Sequence, residues 1–142
     1  MSVFSVRALV LAAIVSSAGT GAVAGDLEVV VQGAQPGEGK VRVGVFESDA
    51  FPDTPLRGRE KPADGQGRVR VHFTGLEPGE YAVSAYQDRS GSGELDTNFV
   101  GAPTEPFGFS QGAQSRFGPP DFEEAMFSLN DSFRRIEVTL EE

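Results

Sequence analysis

The sequence contains no cysteine and no tryptophan, and its 142 residues include a single histidine. Without cysteine the chain cannot form disulfides, thiolate zinc sites or iron–sulfur clusters, and it has no cysteine nucleophile. Basic residues are also scarce, because 12 Lys and Arg stand against 21 Asp and Glu, a formal net charge of −9. So acidic a protein repels nucleic-acid phosphates and anionic lipid headgroups. We therefore expect no nucleic-acid partner and a fold that rests on an ordinary apolar core.

The N-terminal segment has the layout of a signal peptide. Arg7 supplies a basic start, residues 8–15 are all apolar, and residues 22–24 match the small-x-small cleavage pattern. The apolar run is shorter than the roughly 20 residues that a membrane-spanning helix needs. We predict that residues 1–24 are a signal peptide and that residues 25–142 form one domain, exported to the periplasm or the medium, with no membrane span. The alternative, a buried N-terminal helix, lacks a capping residue and an amphipathic period.

Alternating apolar and polar residues dominate the rest of the chain. The alternation is clear in residues 27–31, 41–45 and 69–73, and it recurs in 81–86 and 136–140. A period of two is typical of strands with one buried face. No long segment shows the apolar period of a helix, so helices cannot cover both faces of a parallel sheet. The sequence therefore predicts an all-β fold, an antiparallel Greek-key β-sandwich of about seven strands that resembles transthyretin-like or immunoglobulin-like domains.

Two segments interrupt this pattern. Residues 48–62 contain three prolines and the charged run 57–61, which predict a solvated loop. Residues 98–124 are long for a connection and carry five phenylalanines, which predict one long ordered loop packed over the sandwich. Near its end, Asp121 and Glu124 have the spacing of a capping box and predict a single helical turn.

Residues 88–96 are similar to the first part of an EF-hand-type calcium loop. Oxygen-bearing side chains stand at relative positions 1, 3, 5 and 9, and glycine stands at position 6, where the loop turns sharply. Position 12, normally a glutamate, is Phe99, so an acid from elsewhere must complete the site. The predicted ligands of a weak calcium site, with a dissociation constant of about 10⁻⁴ to 10⁻³ M, are Asp88, Ser90, Ser92, the carbonyl of Glu94, Asp96 and Glu105. The alternative is a polar loop whose side chains bond to nearby backbone.

Residues 108–112 match G-x-S-x-G, the nucleophile elbow of α/β-hydrolases. That mechanism also needs a strand before the serine, a helix after it and a histidine later in the chain, whereas His72 lies upstream in a strand pattern. A non-catalytic binding or structural module, with an unidentified protein or small-molecule ligand, is therefore the preferred function. A small secreted hydrolase that uses Ser110 or the loop carboxylates is the alternative.

Two single residues have structural interpretations. His72 alternates with Val71 and Phe73, so we expect its side chain to be exposed. The chain offers no further nitrogen or sulfur donors with which it would form a zinc site. Tyr81 follows a Pro-Gly pair, as in the tyrosine corner of sandwich domains, where the hydroxyl bonds to backbone upstream.

Several motifs from residue 79 onward carry a resemblance to a known family. They are Gly79-x-Tyr81-Ala82-Val83, the loop 88–96, Gly101-x-Pro103-x-Glu105-x-x-Gly108-Phe109-Ser110, Gly118-Pro119-Pro120 and Phe122-x-x-Ala125. On these motifs the chain resembles domain of unknown function 2141, a bacterial family of small exported proteins, over about residues 26–140. The family usually has Asn where this chain has Ser90 and Ser92, and Gly112 is not part of its pattern. The resemblance implies an exported β-sandwich domain of unassigned biochemical role and brings no catalytic residues.

Overall fold

Eight strands, one 3-10 turn and one helical turn form the regular structure of the residues described, which are 24–98, 101–114 and 118–142 of a computed structural model. The predicted signal peptide, apart from Ala24, lies outside these residues, as do Phe99 and Phe117. No helix in the described part of the chain is long and apolar enough to cross a membrane. The elements in chain order are β1 (Gly25–Gln32), β2 (Lys40–Phe46), β3 (Arg57–Pro62), β4 (Val69–Leu76), β5 (Gly79–Asp88), β6 (Phe107–Phe109), the 3-10 turn (Ser110–Gly112), α1 (Phe122–Ala125), β7 (Phe127–Leu129) and β8 (Phe133–Thr139).

The strands form two sheets, which confirms the prediction of a mostly β protein. The smaller sheet has the order β4-β1-β8, and the larger has the order β3-β2-β5-β6, with β7 also paired to β5. The expectation of an antiparallel fold is wrong at one place, because β1 and β8 pair in parallel from Asp26–Phe133 to Gln32–Thr139. These two strands lie at opposite ends of the described chain, so no hairpin connects them and fixes their relative direction.

The apolar core lies between the two sheets and is built by the alternating residues that the sequence pattern identifies. On β1, Leu27, Val29 and Val31 are fully buried, because every second side chain of a strand points to the same face. The matching inward residues of β2, β4 and β5 belong to the same cluster: Val41, Val43, Val45, Val71, Phe73, Tyr81, Val83 and Ala85. The period-two pattern therefore identifies the buried face correctly in the central strands.

Residues 57–62 differ from the prediction of a solvated loop, because they form the edge strand β3. This strand pairs with β2 from Lys40–Pro62 to Val45–Arg57, although every one of its residues is exposed. Its long cationic side chains reach across to the other sheet, where Arg57 donates to the carbonyl of Thr74 and Lys61 donates to that of Arg70 at 3.3 Å. Long side chains with charged ends can connect the edges of two sheets in this way while they stay exposed to solvent.

The described part of residues 98–124 is more regular than one long loop. It supplies β6, the 3-10 turn and α1, and it packs as predicted over the outside of β5. The rings of Phe109 and Phe122 each lie 5.9 Å from the ring of Phe51, in edge-to-face contacts. In α1 the predicted capping box is present, since the Glu124 carboxylate accepts the N–H of Asp121 at 3.3 Å. The aromatics of this segment therefore form a second small core.

The tyrosine-corner prediction is also confirmed. Tyr81 lies at the start of β5 with its ring almost fully buried, and its hydroxyl donates to the carbonyl of Glu77. Burial raises the pKa of this hydroxyl, helped by the nearby carboxylates of Glu47 and Glu77. The residue thus has a structural role, since it anchors the turn between β4 and β5.

Candidate functional site

A cleft of about 580 Å³ lies on the outer face of the larger sheet. Its floor is a row of small residues, because the strand register places Gly58, Gly44 and Ser84 side by side on β3, β2 and β5. A Cβ added to Gly58 would approach only the carbonyl oxygen of Val43, at 3.7 Å, so the floor is open at this point. Above Gly44, in contrast, an added Cβ would lie 3.0 Å from the ring of Phe46 and 3.2 Å from Pro55, so the depression is open at Gly58.

Loops and larger side chains form the walls of the cleft. The turn between β2 and β3 contributes Pro52, Asp53 and Pro55, and the loop after β5 contributes Gly93 to Leu95. The ring of Tyr86 stands between floor and loop, and its hydroxyl donates to the carbonyl of Gly93 at 3.0 Å. Leu95 also lines this cleft and is half-buried.

Arg42 sets the electrostatics at one end of the cleft. Its Nε lies 3.1 Å from Oδ2 of Asp88, and its Nη2 lies 3.0 Å from Oε2 of Glu60. The hydrogen bond to Asp88 raises the pKa of the guanidinium, so this cation is fixed in charge and in place.

Asp88 is buried yet ionised. Burial acts to raise the pKa of its carboxyl, but the N–H of Gly93 and the Arg42 guanidinium bond to the charged form and hold the pKa below its usual value. The N–H groups of Ser92 and Gly93 lie 3.1 and 2.9 Å from its two oxygens. A carboxylate held in this way is a poor proton donor near neutral pH.

The loop 88–96 is held together by its own side chains. Oγ of Ser92 donates to Oδ1 of Asp96 at 2.9 Å and lies at the same distance from the carbonyl of Glu94. Oγ of Ser90 lies 3.4 Å from Oδ1 of Asp88. The six predicted calcium ligands thus lie in or beside one loop, and five of them are linked by these contacts.

Glu105 comes to this loop, as the sequence analysis expected of the completing acid. Its buried carboxylate accepts backbone N–H groups of Arg89, of Ser90 at 3.2 Å and of Asp96 at 2.9 Å. Among the residues described, however, no three acidic or histidine side chains form a group that could hold a metal ion. Calcium binding therefore stays a prediction, and the observed network is one of carboxylates bonded to backbone.

Ser110 fills a gap in the backbone ladder along β5. Strand β7 pairs with residues 79–81 and β6 with residues 84–86, which leaves the amide of Val83 between them. The fully buried Oγ of Ser110 accepts that N–H at 2.9 Å and donates to the carbonyl of Ala125. A nucleophile elbow presents its serine to solvent, so this arrangement gives no support to the hydrolase alternative.

Two buried polar residues escaped the sequence analysis, and the first is Gln87. Its amide nitrogen donates to the carbonyls of Gln35 and Glu38 at 2.7 and 3.0 Å, and its Oε1 accepts the N–H of Gln35 at 2.9 Å. The side chain therefore clamps the turn between β1 and β2. The signal was present, because Gln87 continues the inward series of Tyr81, Val83 and Ala85.

The second is Glu28, on the outer face of the smaller sheet. Its side chain is only 5% exposed, with Nε of Arg70 at 3.1 Å, Nε2 of His72 at 3.3 Å and Nε of Arg135 beside it. The Arg135 hydrogen bond outweighs burial and lowers the pKa of this carboxyl. His72 is exposed, as predicted. Only the pairing of β1 with both β4 and β8 brings these groups together, so alternation alone gives no sign of the cluster.

Comparison with known protein families gives a match over most of the chain. The family described as "Uncharacterized protein conserved in bacteria (DUF2141)" matches residues 29–137, which confirms the resemblance seen in the sequence motifs. No curated protein and no solved structure matches the chain.

Proposed function

The chain belongs to the family DUF2141, and on that premise we propose that it is an exported, non-catalytic binding module. The basic start, apolar run and small-residue cleavage pattern of residues 1–24 support export to the periplasm or the medium. A Greek-key sandwich of the transthyretin-like or immunoglobulin-like kind is part of the same proposal. Such a scaffold presents binding surfaces on its sheets and loops without contributing chemistry of its own.

The cleft on the larger sheet is the observation that carries the proposal. Its volume of about 580 Å³ lies within the range of roughly 300 to 1,000 Å³ that is usual for small-ligand sites. The floor allows a ligand to approach the backbone at Gly58, beside the space over Gly44 that Phe46 and Pro55 cover. The walls are held by the hydrogen bonds of Tyr86 and Arg42, so the cleft is formed in advance of binding.

The lining favours an uncharged polar ligand with an apolar face, such as a short oligosaccharide. Two arginines face three carboxylates there, namely Arg42, Arg59, Asp53, Glu60 and Glu94, so neither sign of charge dominates. Tyr86 and the prolines of the 47–56 turn supply apolar contact area. Sugars combine hydroxyl groups with an apolar ring face, and an aromatic side chain beside charged hydrogen-bonding groups suits both.

The hydrolase alternative has less support. Ser110 is fully buried and bonded to backbone, and Asp88 is held ionised by Arg42. His72 belongs to the other sheet, at the cluster around Glu28. None of these groups is arranged as a nucleophile next to a base, which is the arrangement that acyl transfer requires.

Filling the floor of the cleft tests the proposal. Soluble tetrasaccharides of glucose, of N-acetylglucosamine and of xylose are titrated into isotopically labelled protein, and amide shifts are followed by NMR. We expect shifts in residues around Gly44 and Tyr86 with at least one of them. Gly58→Val should abolish the shifts, because the valine side chain fills the cleft where the ligand would bind. The substitution should not strain the sheet, since a Cβ at this position has space around it. Gly65→Val, in a turn outside the cleft with equally open surroundings, is the matched control and should bind normally. Shifts that survive Gly58→Val, or no shifts with any tetrasaccharide, would refute this ligand class.

A further inference from the structure

A second surface with unassigned binding capacity lies on the outer face of the smaller sheet, the sheet that does not carry the cleft. The strand register places His72 of β4 and Arg135 of β8 on either side of Glu28 of β1. Arg70 reaches the same carboxylate from one level away. We call these four residues the arginine cluster. Three positive or protonatable side chains therefore converge on one buried carboxylate.

The buried carboxylate orients the two guanidinium groups. Nε of Arg135 donates to Glu28, Nε of Arg70 lies 3.1 Å from the same carboxylate in an ion pair, and no described residue accepts a hydrogen bond from the Nη groups of either arginine. Both side chains are more than half exposed, at 60% and 56%. Because the guanidinium is planar, fixing Nε toward Glu28 directs the pair of donors at the end of the guanidinium away from that carboxylate. The cluster thus presents ordered donors and keeps a positive charge after Glu28 is neutralised.

A depression of about 540 Å³ adjoins the cluster and shares Arg70 with it. Two further cations line it, Lys61 and Arg68, together with the apolar residues Val30, Pro62 and Ala63. Its one lining carboxylate, Asp64, accepts the backbone N–H groups of Gln66 and Arg68 at 2.8 and 2.9 Å. The depression therefore offers an apolar floor with a cationic rim next to the free donors of Arg70.

We propose that this face binds a small soluble ligand that carries a phosphate group, with Arg70 and Arg135 donating to the phosphate and the depression holding the rest of the ligand. Arginine matches phosphate oxygens with paired donors, and such charge-assisted hydrogen bonds are about twice as strong as neutral ones. Glu28 acts as a positioning residue. Glu137 lies on the same face, next to Val30, and it limits the anionic charge that the site accepts.

The net charge of the chain decides between a small ligand and a membrane surface as the source of the phosphate. At −9 the protein as a whole is repelled by an extended anionic surface. A single phosphate group meets only the local field of the cluster. A soluble phosphate monoester is therefore favoured over an anionic lipid headgroup.

The test measures binding of inorganic phosphate, glucose 6-phosphate and vesicles of anionic phospholipid to the purified protein at constant ionic strength. We expect titration calorimetry to show binding of both phosphate compounds, with the sugar phosphate tighter, and no sedimentation with vesicles. Arg70→Gln and Arg135→Gln should each weaken glucose 6-phosphate binding by about tenfold or more. Lys40→Gln, an exposed cation on the other sheet that lines neither the cleft nor the depression, is the charge-matched control and should bind as the wild type does.

Because Arg70 and Arg135 also neutralise Glu28, their replacement can weaken the fold. Arg68→Gln keeps the proposal testable, since this exposed side chain lines the depression but does not contact Glu28. It should weaken binding of the sugar phosphate several-fold without changing the far-ultraviolet circular dichroism. Absence of phosphate binding, equal weakening by Lys40→Gln, or binding to vesicles without binding of soluble phosphates would each overturn the proposal. None of these outcomes affects the oligosaccharide test, which concerns the other sheet.

Discussion

Arg42 and Asp88 join the two parts of the candidate site, because the guanidinium on β2 bonds the carboxylate at the end of β5 at 3.1 Å. Asp88 also holds the loop 88–96 through the N–H groups of Ser92 and Gly93. One buried carboxylate therefore fixes both the end of the cleft and the loop beside it.

Replacing the Asp88 carboxylate should destabilise both the end of the cleft and the loop 88–96. We expect Asp88→Asn to lower the free energy of unfolding by about 1 to 3 kcal/mol, because it leaves Arg42 and the loop amides without a charged acceptor. Urea unfolding followed by circular dichroism measures the change. Glu94→Gln alters an exposed side chain in the same loop and should stay within about 0.5 kcal/mol of the wild type. Equal stability of the two variants would contradict this role of Asp88.

Two strand glycines should respond in opposite ways to alanine. A Cβ at Gly108 would lie 2.2 Å from the carbonyl oxygen of Thr139, whereas one at Gly58 meets nothing nearer than 3.7 Å. We expect Gly108→Ala to destabilise by about 1 to 3 kcal/mol through overpacking, and Gly58→Ala to be neutral or slightly stabilising. Thermal melts of both variants test the contrast, and a tolerated Gly108→Ala would show that β6 and β8 are less closely packed.

Ser110 should contribute to the stability of the folded protein. Ser110→Ala removes the acceptor for the Val83 N–H and the donor to the Ala125 carbonyl, both in a buried region. Leaving buried backbone groups unpaired costs about 1 to 3 kcal/mol, so the urea midpoint should fall. Ser110→Thr is the control, because it keeps the hydroxyl. It shows whether the stability falls because the hydrogen bonds are lost or because any substitution at this position is destabilising. A variant with wild-type stability would contradict the ladder-filling role.

Stability should fall in acid, with Glu28 as one cause. The Arg135 hydrogen bond and the nearby cations lower the pKa of Glu28 below its usual value of 4.5 in the folded protein. Its stabilising contribution is therefore complete above that value and is lost as the pH falls through the lowered pKa. Urea midpoints over an acidic pH series measure this, and Glu28→Gln should flatten the dependence below pH 4.5. An unchanged slope in the variant would rule Glu28 out as a contributor.

Calcium is tested by melting curves in the presence of calcium and of chelator. If the loop binds calcium with the predicted weak affinity, about 10 mM of the ion is at or above the dissociation constant. A hundredfold excess over that constant contributes about 2.7 kcal/mol and raises the midpoint by several degrees. We expect a measurable rise that Asp88→Asn reduces and Glu94→Gln leaves intact. Superimposable wild-type curves would identify the loop as a hydrogen-bonded structure alone.

The sequence predicts local secondary structure and burial better than it predicts which distant strands pair with each other. Alternation correctly places Val29 and Val83 in the core, and the spacing of Asp121 and Glu124 correctly predicts α1. Such features depend on neighbours in the chain. The parallel pairing of β1 with β8 and the meeting of Arg135 with Glu28 join residues more than 100 positions apart, as the separation of 107 for this pair shows. No single-sequence pattern encodes which strands become neighbours.

The candidate site shows the same division. The sequence identifies the loop 88–96 because its residue types follow a known local spacing, and it identifies Glu105 as an acid outside that spacing that could complete the site. The glycine floor was not, since Gly44 and Gly58 become adjacent only when β2 and β3 pair. The motif draws attention to Ser110 but suggests a hydrolase. It gives no sign that the Ser110 hydroxyl accepts a hydrogen bond from the backbone N–H of Val83.

The composition of β3 bears on how copies of this protein behave when crowded together. An open strand edge is a template on which another chain can add by backbone pairing, the first step of ordered aggregation. Residues 57–61 carry four charges, and Pro62 has no N–H to offer an incoming strand. Arg57 and Lys61 additionally bend over β4 to bond its carbonyls. The charged run that resembles a loop in the sequence therefore disfavours the addition of another chain at this edge of the sheet.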